Sequence, residues 1–181
     1  MSTVQLQNIA HTNGTTAATI DSNGVVTMAN TVMYDTYRVT SNVTSNGVIT
    51  AWEKPDDDLA TTVGDSMSVS SGIFTFPRTG IYKVVLMASI ENQSTDSLTV
   101  AYIKGTTDNS TYSNLSLGIL GSNGSDIEYG TVYAEAVVNI SDVSNRKIRI
   151  DAGSITSPSY VYGDTSDNRT YVSFQYLAPS T

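Results

Sequence analysis

From residue 33 onward the chain alternates short apolar runs with clusters of Gly, Asn, Asp, Ser and Thr about every ten residues. That spacing is expected of an all-β sandwich or barrel. The apolar runs predict strands over residues 33–39, 48–52, 67–70, 73–76, 81–90, 98–104, 112–119, 127–140, 146–152 and 171–177. Helical periodicity is sustained nowhere.

The strands divide into two kinds. Residues 146–151 alternate, with Ile148 and Ile150 on one face and Lys147, Arg149 and Asp151 on the other. Residues 112–119 do likewise, opposing Leu115, Leu117 and Ile119 to Asn114, Ser116 and Gly118, so both strands are expected to be wet on one side. Residues 81–90 are apolar on both faces. Tyr82, Val84, Leu86, Ala88 and Ile90 face one way, and Ile81, Val85 and Met87, with Lys83 and Ser89, face the other. Residues 127–140 also carry apolar side chains on both faces, with Ile127, Tyr129, Tyr133 and Val137 opposed to Val132, Ala134, Ala136, Val138 and Ile140. A two-layer sandwich offers each sheet one inner face, so the second apolar face needs another cover. In a small chain without helices the simplest cover is a second copy, with Ile81, Val85 and Met87 at the contact.

Within this pattern, residues 72–84 set an aromatic strand, a Pro/Gly turn and a longer strand in order. Phe74, Gly80 and Tyr82 fall on the spacing of a Phe, five intervening residues, then Gly-x-Tyr, which resembles the signature of the C1q/TNF-like domains. Val84 stands where that signature ends in an aromatic, and Met67 where it has an upstream one. Residues 171–177, including Phe174 and Tyr176, resemble the aromatic last strand of the same domains. The resemblance spans residues 31–181 and implies a two-sheet antiparallel jelly-roll sandwich. It also implies a homotrimer packed through the sheet that holds the central strand, in agreement with the two-faced pattern.

The first thirty residues form a separate segment. Residues 17–20 and 25–28 flank Asp21-Ser22-Asn23-Gly24, a hairpin signal in which Asn-Gly supplies the positive φ that a tight turn needs. Residues 6–25 resemble a segment of bacteriophage tail-fibre and virion proteins that precedes a globular head. This likeness implies an attachment or neck segment over residues 1–30, contacting other virion proteins, below a head domain over 31–181.

Bulk properties narrow the functions. The 181 residues are 39% hydrophobic and only 14% charged, with a formal net charge of -8. Such a chain is repelled by phosphate backbones and anionic lipid surfaces, so neither nucleic acid nor membrane is an expected partner. No apolar run reaches the roughly 18 residues of a membrane span. Residues 1–7 have neither a basic nor an apolar region that would mark the chain for export, as in a protein made in a cytosol and used outside a cell without secretion. The phage-fibre resemblance implies that this setting is a virion assembled from protein made in the bacterial cytoplasm. The absence of cysteine removes disulfides, thiol catalysis and Cys-based zinc sites.

The remaining candidates for chemistry are sparse. His11 is the sole histidine and has no nucleophile or acid in its motif, so neither a Ser/His/Asp triad nor a histidine metal site is expected. Asp56, Asp57 and Asp58 lack the spacing of a calcium loop and read as a solvated acidic turn. Glu53, Glu91, Glu128 and Glu135 could in principle serve glycoside hydrolysis, but no motif pairs them. No cofactor and no enzymatic activity are expected. Tyrosine is enriched, at 11 residues. Tyr160 and Tyr162, in what reads as a loop before the last strand, are candidate contacts to a host glycan or protein. Trp52 reads as packing at a strand end. The sequons at Asn13, Asn42, Asn114, Asn139 and Asn168 are expected to stay bare in a bacterially made protein.

Three functions are compatible with this reading: a trimeric fibre or tail-fibre component with host-surface binding, a capsid decoration protein or head fibre without a receptor role, and a secreted C1q-like binding domain.

Overall fold

A computed structural model describes residues 8–10, 16–20, 22–24, 26–28, 32–56, 61–94, 96–123 and 126–181. His11, Asn13, Asp57 and Asp58 lie outside the described residues. The chain divides into two compact units, Met1–Thr31 and Val32–Thr181. The first unit is a three-stranded antiparallel sheet of β1 (Asn8–Ala10), β2 (Thr16–Ile20) and β3 (Val26–Met28), in that order. Strands β2 and β3 pair in the hairpin expected from the Asn-Gly turn, with Ile20 opposite Val26 and Gly24 at φ +81°. A side chain at that φ would be strained, and glycine is not.

The second unit is a sandwich of two antiparallel sheets, and no helix occurs among the described residues. Its strands are β4 (Tyr34–Val39), β5 (Gly47–Val48), β6 (Trp52–Glu53), β7 (Ser68–Ser70), β8 (Ile73–Thr75), β9 (Gly80–Asn92), β10 (Leu98–Thr106), β11 (Ser113–Gly121), β12 (Glu128–Ile140), β13 (Lys147–Gly153), β14 (Tyr160–Val161) and β15 (Tyr171–Ala178). One sheet runs β12-β9-β15-β4-β6, with β14 also on β9, and the other runs β11-β10-β13-β8-β7, with β5 on β13. Strand β9 is the spine of the first sheet. It pairs with β12 over its whole length, from Gly80↔Ile140 to Asn92↔Glu128, and with β15 along its other edge.

The expected inner face of β9 is fully buried: Tyr82, Val84, Leu86, Ala88 and Ile90 share a core with Ala101, Ile103, Ile148 and Ile150 of the facing sheet. The signature residues meet inside this core. Phe74 packs 5.0 Å from Phe174 between ring centroids and edge-on to Tyr37 and Trp52, while Tyr82 packs between Phe76 at 4.6 Å and Tyr176 at 5.4 Å. Gly80 is required by close approach: a Cβ there would lie 2.3 Å from the Tyr176 ring and 3.0 Å from the Ala178 carbonyl oxygen. The signature is therefore the list of residues that close the aromatic end of the sandwich. Met67, where the signature has an aromatic, is buried, and its carbonyl accepts the Tyr37 hydroxyl at 2.7 Å.

Several expectations need correction. Residues 48–52 are not one strand. Val48 pairs with Asp151 in one sheet and Trp52 with Val39 in the other, so this segment crosses the sandwich corner, with the Ile49 amide donating to Ile150 O at 2.9 Å. Tyr160 is not in a free loop, because Tyr160–Val161 is hydrogen-bonded to β9 opposite Glu91 and Ile90. Two residues are too few to show a strand period. The orientation of β11 is also not as expected. Leu117 and Ile119 are 42% and 52% exposed, while the alternating position Gly118 faces inward. A Cβ on Gly118 would lie 2.8 Å from Val132 Cβ and 3.2 Å from the Tyr133 carbonyl oxygen, so the interior takes the glycine and turns the leucine and isoleucine out. Finally, the outer side of β13 is less wet than its alternation predicts, since Asp151 is 4% exposed beneath Lys104 and Arg149, at 2.8 and 2.9 Å.

Candidate interaction surface

The outer face of the β9 sheet is ordered by strand register into rows. Tyr133, Met87 and Tyr171 stand side by side on β12, β9 and β15, followed by Glu135, Val85 and Ser173 and then by Val137, Lys83 and Gln175. In one copy of the chain Ile81, Val85 and Met87 are half-buried, while Tyr133 is 54% and Val137 61% exposed. Tyr129 and Leu177 extend the exposed apolar set. The Tyr171 hydroxyl donates to Met87 Sδ at 2.8 Å, which fixes the middle of the first row. The polar members of the face neutralise one another: Lys83 Nζ lies 2.8 Å from Glu135, which also accepts the Tyr133 hydroxyl. Hydrogen bonding to Glu135 raises the Lys83 ammonium pKa, and the bond from Lys83 lowers that of the Glu135 carboxyl. The face thus carries a charge pair and little net charge among apolar side chains, a composition suited to closing against protein.

At the far end of β9, Tyr160 and Tyr162 pack edge to face with centroids 4.8 Å apart, and both hydroxyls donate to Glu91 Oε2, from Tyr162 at 2.7 Å. Gln93 donates to the other carboxylate oxygen. Burial alone would raise the Glu91 pKa, but the three hydrogen bonds carry it below its ordinary value of 4.5. The same carboxylate pushes the Tyr160 phenol well above the usual tyrosine range. The two rings are therefore a fixed, half-buried pair with engaged hydroxyls. A lowered folded-state pKa means Glu91 stabilises the fold fully above its unfolded value and loses that contribution as pH falls through the depressed one. Glu91→Gln is accordingly expected to lower the urea midpoint above about pH 5, with the gap to the unaltered protein narrowing below pH 4.5. A gap of constant size from pH 7 to 3 would refute this assignment.

The other sequence candidates are dispersed. Glu53 and Asp56 both bind Arg38, whose side chain is wholly buried, with Glu53 Oε1 2.8 Å from Arg38 Nε. Glu135 belongs to Lys83 and Glu91 to the tyrosine pair, so these carboxylates are not gathered at one site. Trp52 packs on Phe74 and donates from Nε1 to Ile49 O at 2.7 Å. Among the sequon residues, Asn42 accepts the Gly163 amide at 3.1 Å and Asn139 binds Thr181 O at 3.1 Å. Two groups escaped sequence reasoning. The buried Arg38 resembles any surface arginine in a strand pattern. The buried Asp35 could have been found, because it occupies an inward position between Met33 and Tyr37.

No family model and no curated protein matches the sequence. Solved structures do match the fold. Murine APRIL, from a crystal structure at pH 5.0, aligns with a TM-score of 0.61 at 11% sequence identity, covering 81% of this chain and 99% of that one. Eiger TNF from S. frugiperda aligns with a TM-score of 0.66 at 10% identity, covering 84% of this chain and 96% of that one. At such identities the likeness is one of architecture. The chain has the TNF-like jelly-roll fold.

Proposed function

We propose that the protein is a non-enzymatic structural component of a bacteriophage virion, a homotrimeric fibre or tail-fibre-like protein with host-surface binding. The observation that carries the assembly is the apolar outer face of the β9 sheet, which a solitary sandwich has no use for. A closed ring of three requires two different patches on each copy. A second exposed apolar pair, Leu117 and Ile119, lies on β11, the edge strand of the facing sheet, suited to meet that face in the next copy. Obligate interfaces of this kind commonly exceed about 2,000 Å² in total. The virion setting is supported by the resemblance of residues 6–25 to phage fibre segments, and attachment to other virion proteins falls to residues 1–30. The rigid pair Tyr160 and Tyr162 is the candidate host contact, where threefold presentation would multiply a weak affinity by about 10² to 10⁴.

Light scattering at micromolar concentration tests the assembly. The expected mass is three times the 19.3 kDa of one chain. Met87→Lys places an ammonium between Tyr133 and Tyr171, where desolvation between copies costs several kcal/mol per ion. That variant is expected to run as a folded monomer with an unchanged far-UV spectrum. A monomeric unaltered protein would overturn the assembly. Adding the purified trimer to host cells should block phage adsorption, and Tyr162→Ala should weaken the block. Full adsorption at saturating trimer would remove the host-binding half of the proposal.

A further inference from the structure

Where Gly118 and Gly130 let β11 and β12 approach, the sandwich edge is shut: a Cβ on Gly130 would lie 2.6 Å from Leu120 Cδ1. Towards the other end of the same strands a cleft of about 350 Å³ opens between the sheets. Its apolar wall is aliphatic, from Leu115, Val138, Ile140 and Ile148, and Thr111 and Ser113 stand at its rim. Gly105 helps to form the space, because a Cβ there would lie 2.7 Å from Leu115 Cδ1 and displace that side chain.

Arg146 also lines the cleft, and the one hydrogen bond of its side chain among the described residues runs from Nη1 to Asn139 O at 2.8 Å. No carboxylate pairs with it among the described residues. The acids nearest in sequence are occupied. Asp142 accepts from Ser144 and Asn145, and Asp151 pairs with Lys104 and Arg149; Asp108, on the segment before Thr111, accepts from Thr106, Ser110 and Thr111. A guanidinium with free N–H groups beside an aliphatic cavity matches a ligand with a planar anionic head and an apolar body. Lys147 also lines the cleft, but its Nζ donates to Thr75 Oγ1 at 3.0 Å and to Val143 O at 2.6 Å, so Arg146 is the cation left to meet a ligand, which suits a single negative charge better than a phosphate. The lining has no aromatic ring on which a base or sugar could stack.

We infer that this cleft binds a short aliphatic carboxylate, with the chain against Leu115, Val138 and Ile148 and the head on Arg146. The inference does not depend on the assembly or on the virion setting.

Titration calorimetry of the full chain with octanoate tests it, with octanol and glucuronate as comparison ligands. The expected result is saturable octanoate binding to one site per chain, weakened about tenfold or more by Arg146→Gln, with neither octanol nor glucuronate saturating. Gly105→Ala, which leaves Arg146 in place and pushes Leu115 into the space, is also expected to weaken binding and decides the matter if Arg146→Gln does not fold. The inference is overturned if octanoate does not saturate, if octanol or glucuronate binds as well, or if the folded variants bind octanoate like the unaltered protein.

Discussion

Phe74→Ala is expected to remove about 3–5 kcal/mol of stability, the range for truncating a buried phenylalanine. Phe74 has no exposed surface, and it is the point at which the two sheets share aromatic contacts: Phe174 and Tyr37 belong to the β9 sheet, Trp52 to its edge strand, and Phe74 itself to β8 of the facing sheet. Each such ring pair adds about 0.5–1.5 kcal/mol beyond the area it buries. Three partners lose their contact at once, and they cannot all collapse into the space because they are anchored on different strands. The loss therefore falls in the upper part of the range. For a unit of this size it corresponds to a fall in Tm of about 6–20 °C. Phe74→Leu keeps much of the apolar volume and should lose distinctly less. Urea unfolding of all three proteins at one fixed concentration, as self-association requires, provides the check. Equal midpoints for the alanine and leucine variants would show that volume at this position, rather than the ring cluster, is immaterial to the closure of the sandwich.

That cluster also shows what was legible in the sequence. Phe74, Gly80, Tyr82, Phe174 and Tyr176 are recognisable because each has one steric task, and long strands such as β9 and β12 declare both faces by alternation. The two-faced apolar character of β9 was visible for the same reason. Short elements carry no such record. Val48 and Trp52 are four residues apart and belong to different sheets, and nothing in an apolar run marks a corner. In β11 the alternation was read correctly, but its sense was not. Leu117 and Ile119 look like core residues until Gly118 is seen to abut Val132, and that contact joins positions from separate strands of facing sheets. The cleft beside Arg146 was equally hidden, because it is made by the divergence of two edge strands and by a side chain that pairs with no carboxylate among the described residues.

Asp35 is the buried charge whose loss should matter most, and its effect turns on geometry more than on charge. It lies on β4 with 1% exposure and receives five donors: the Thr36 amide at 3.0 Å, the Thr62 and Ser66 hydroxyls at 3.0 Å, the Met67 amide at 2.8 Å and Lys54 Nζ at 3.1 Å. Through them it fastens the segment after β6 to β4, beside the Tyr34 and Val63 backbone pair. Lys54 is 37% exposed in its side chain and can rehydrate when its partner is removed, so the ion pair itself contributes little. The Met67 amide cannot, and a buried donor left unsatisfied costs about 1–3 kcal/mol. With the further bonds lost, Asp35→Ala is expected to cost about 3–4 kcal/mol, within the range for breaking a buried polar network. Asp35→Asn is the sharper test. Oδ1 takes the Thr36 amide and Oδ2 the Met67 amide, so either orientation of an asparagine sets its NH₂ against a backbone N–H. The near-isosteric variant should therefore be almost as unstable as alanine, with hydrogen exchange accelerated at Tyr34, Val63 and Met67. An Asp35→Asn protein as stable as the parent would mean that the two amides are satisfied by other groups and that Asp35 does not fasten this segment.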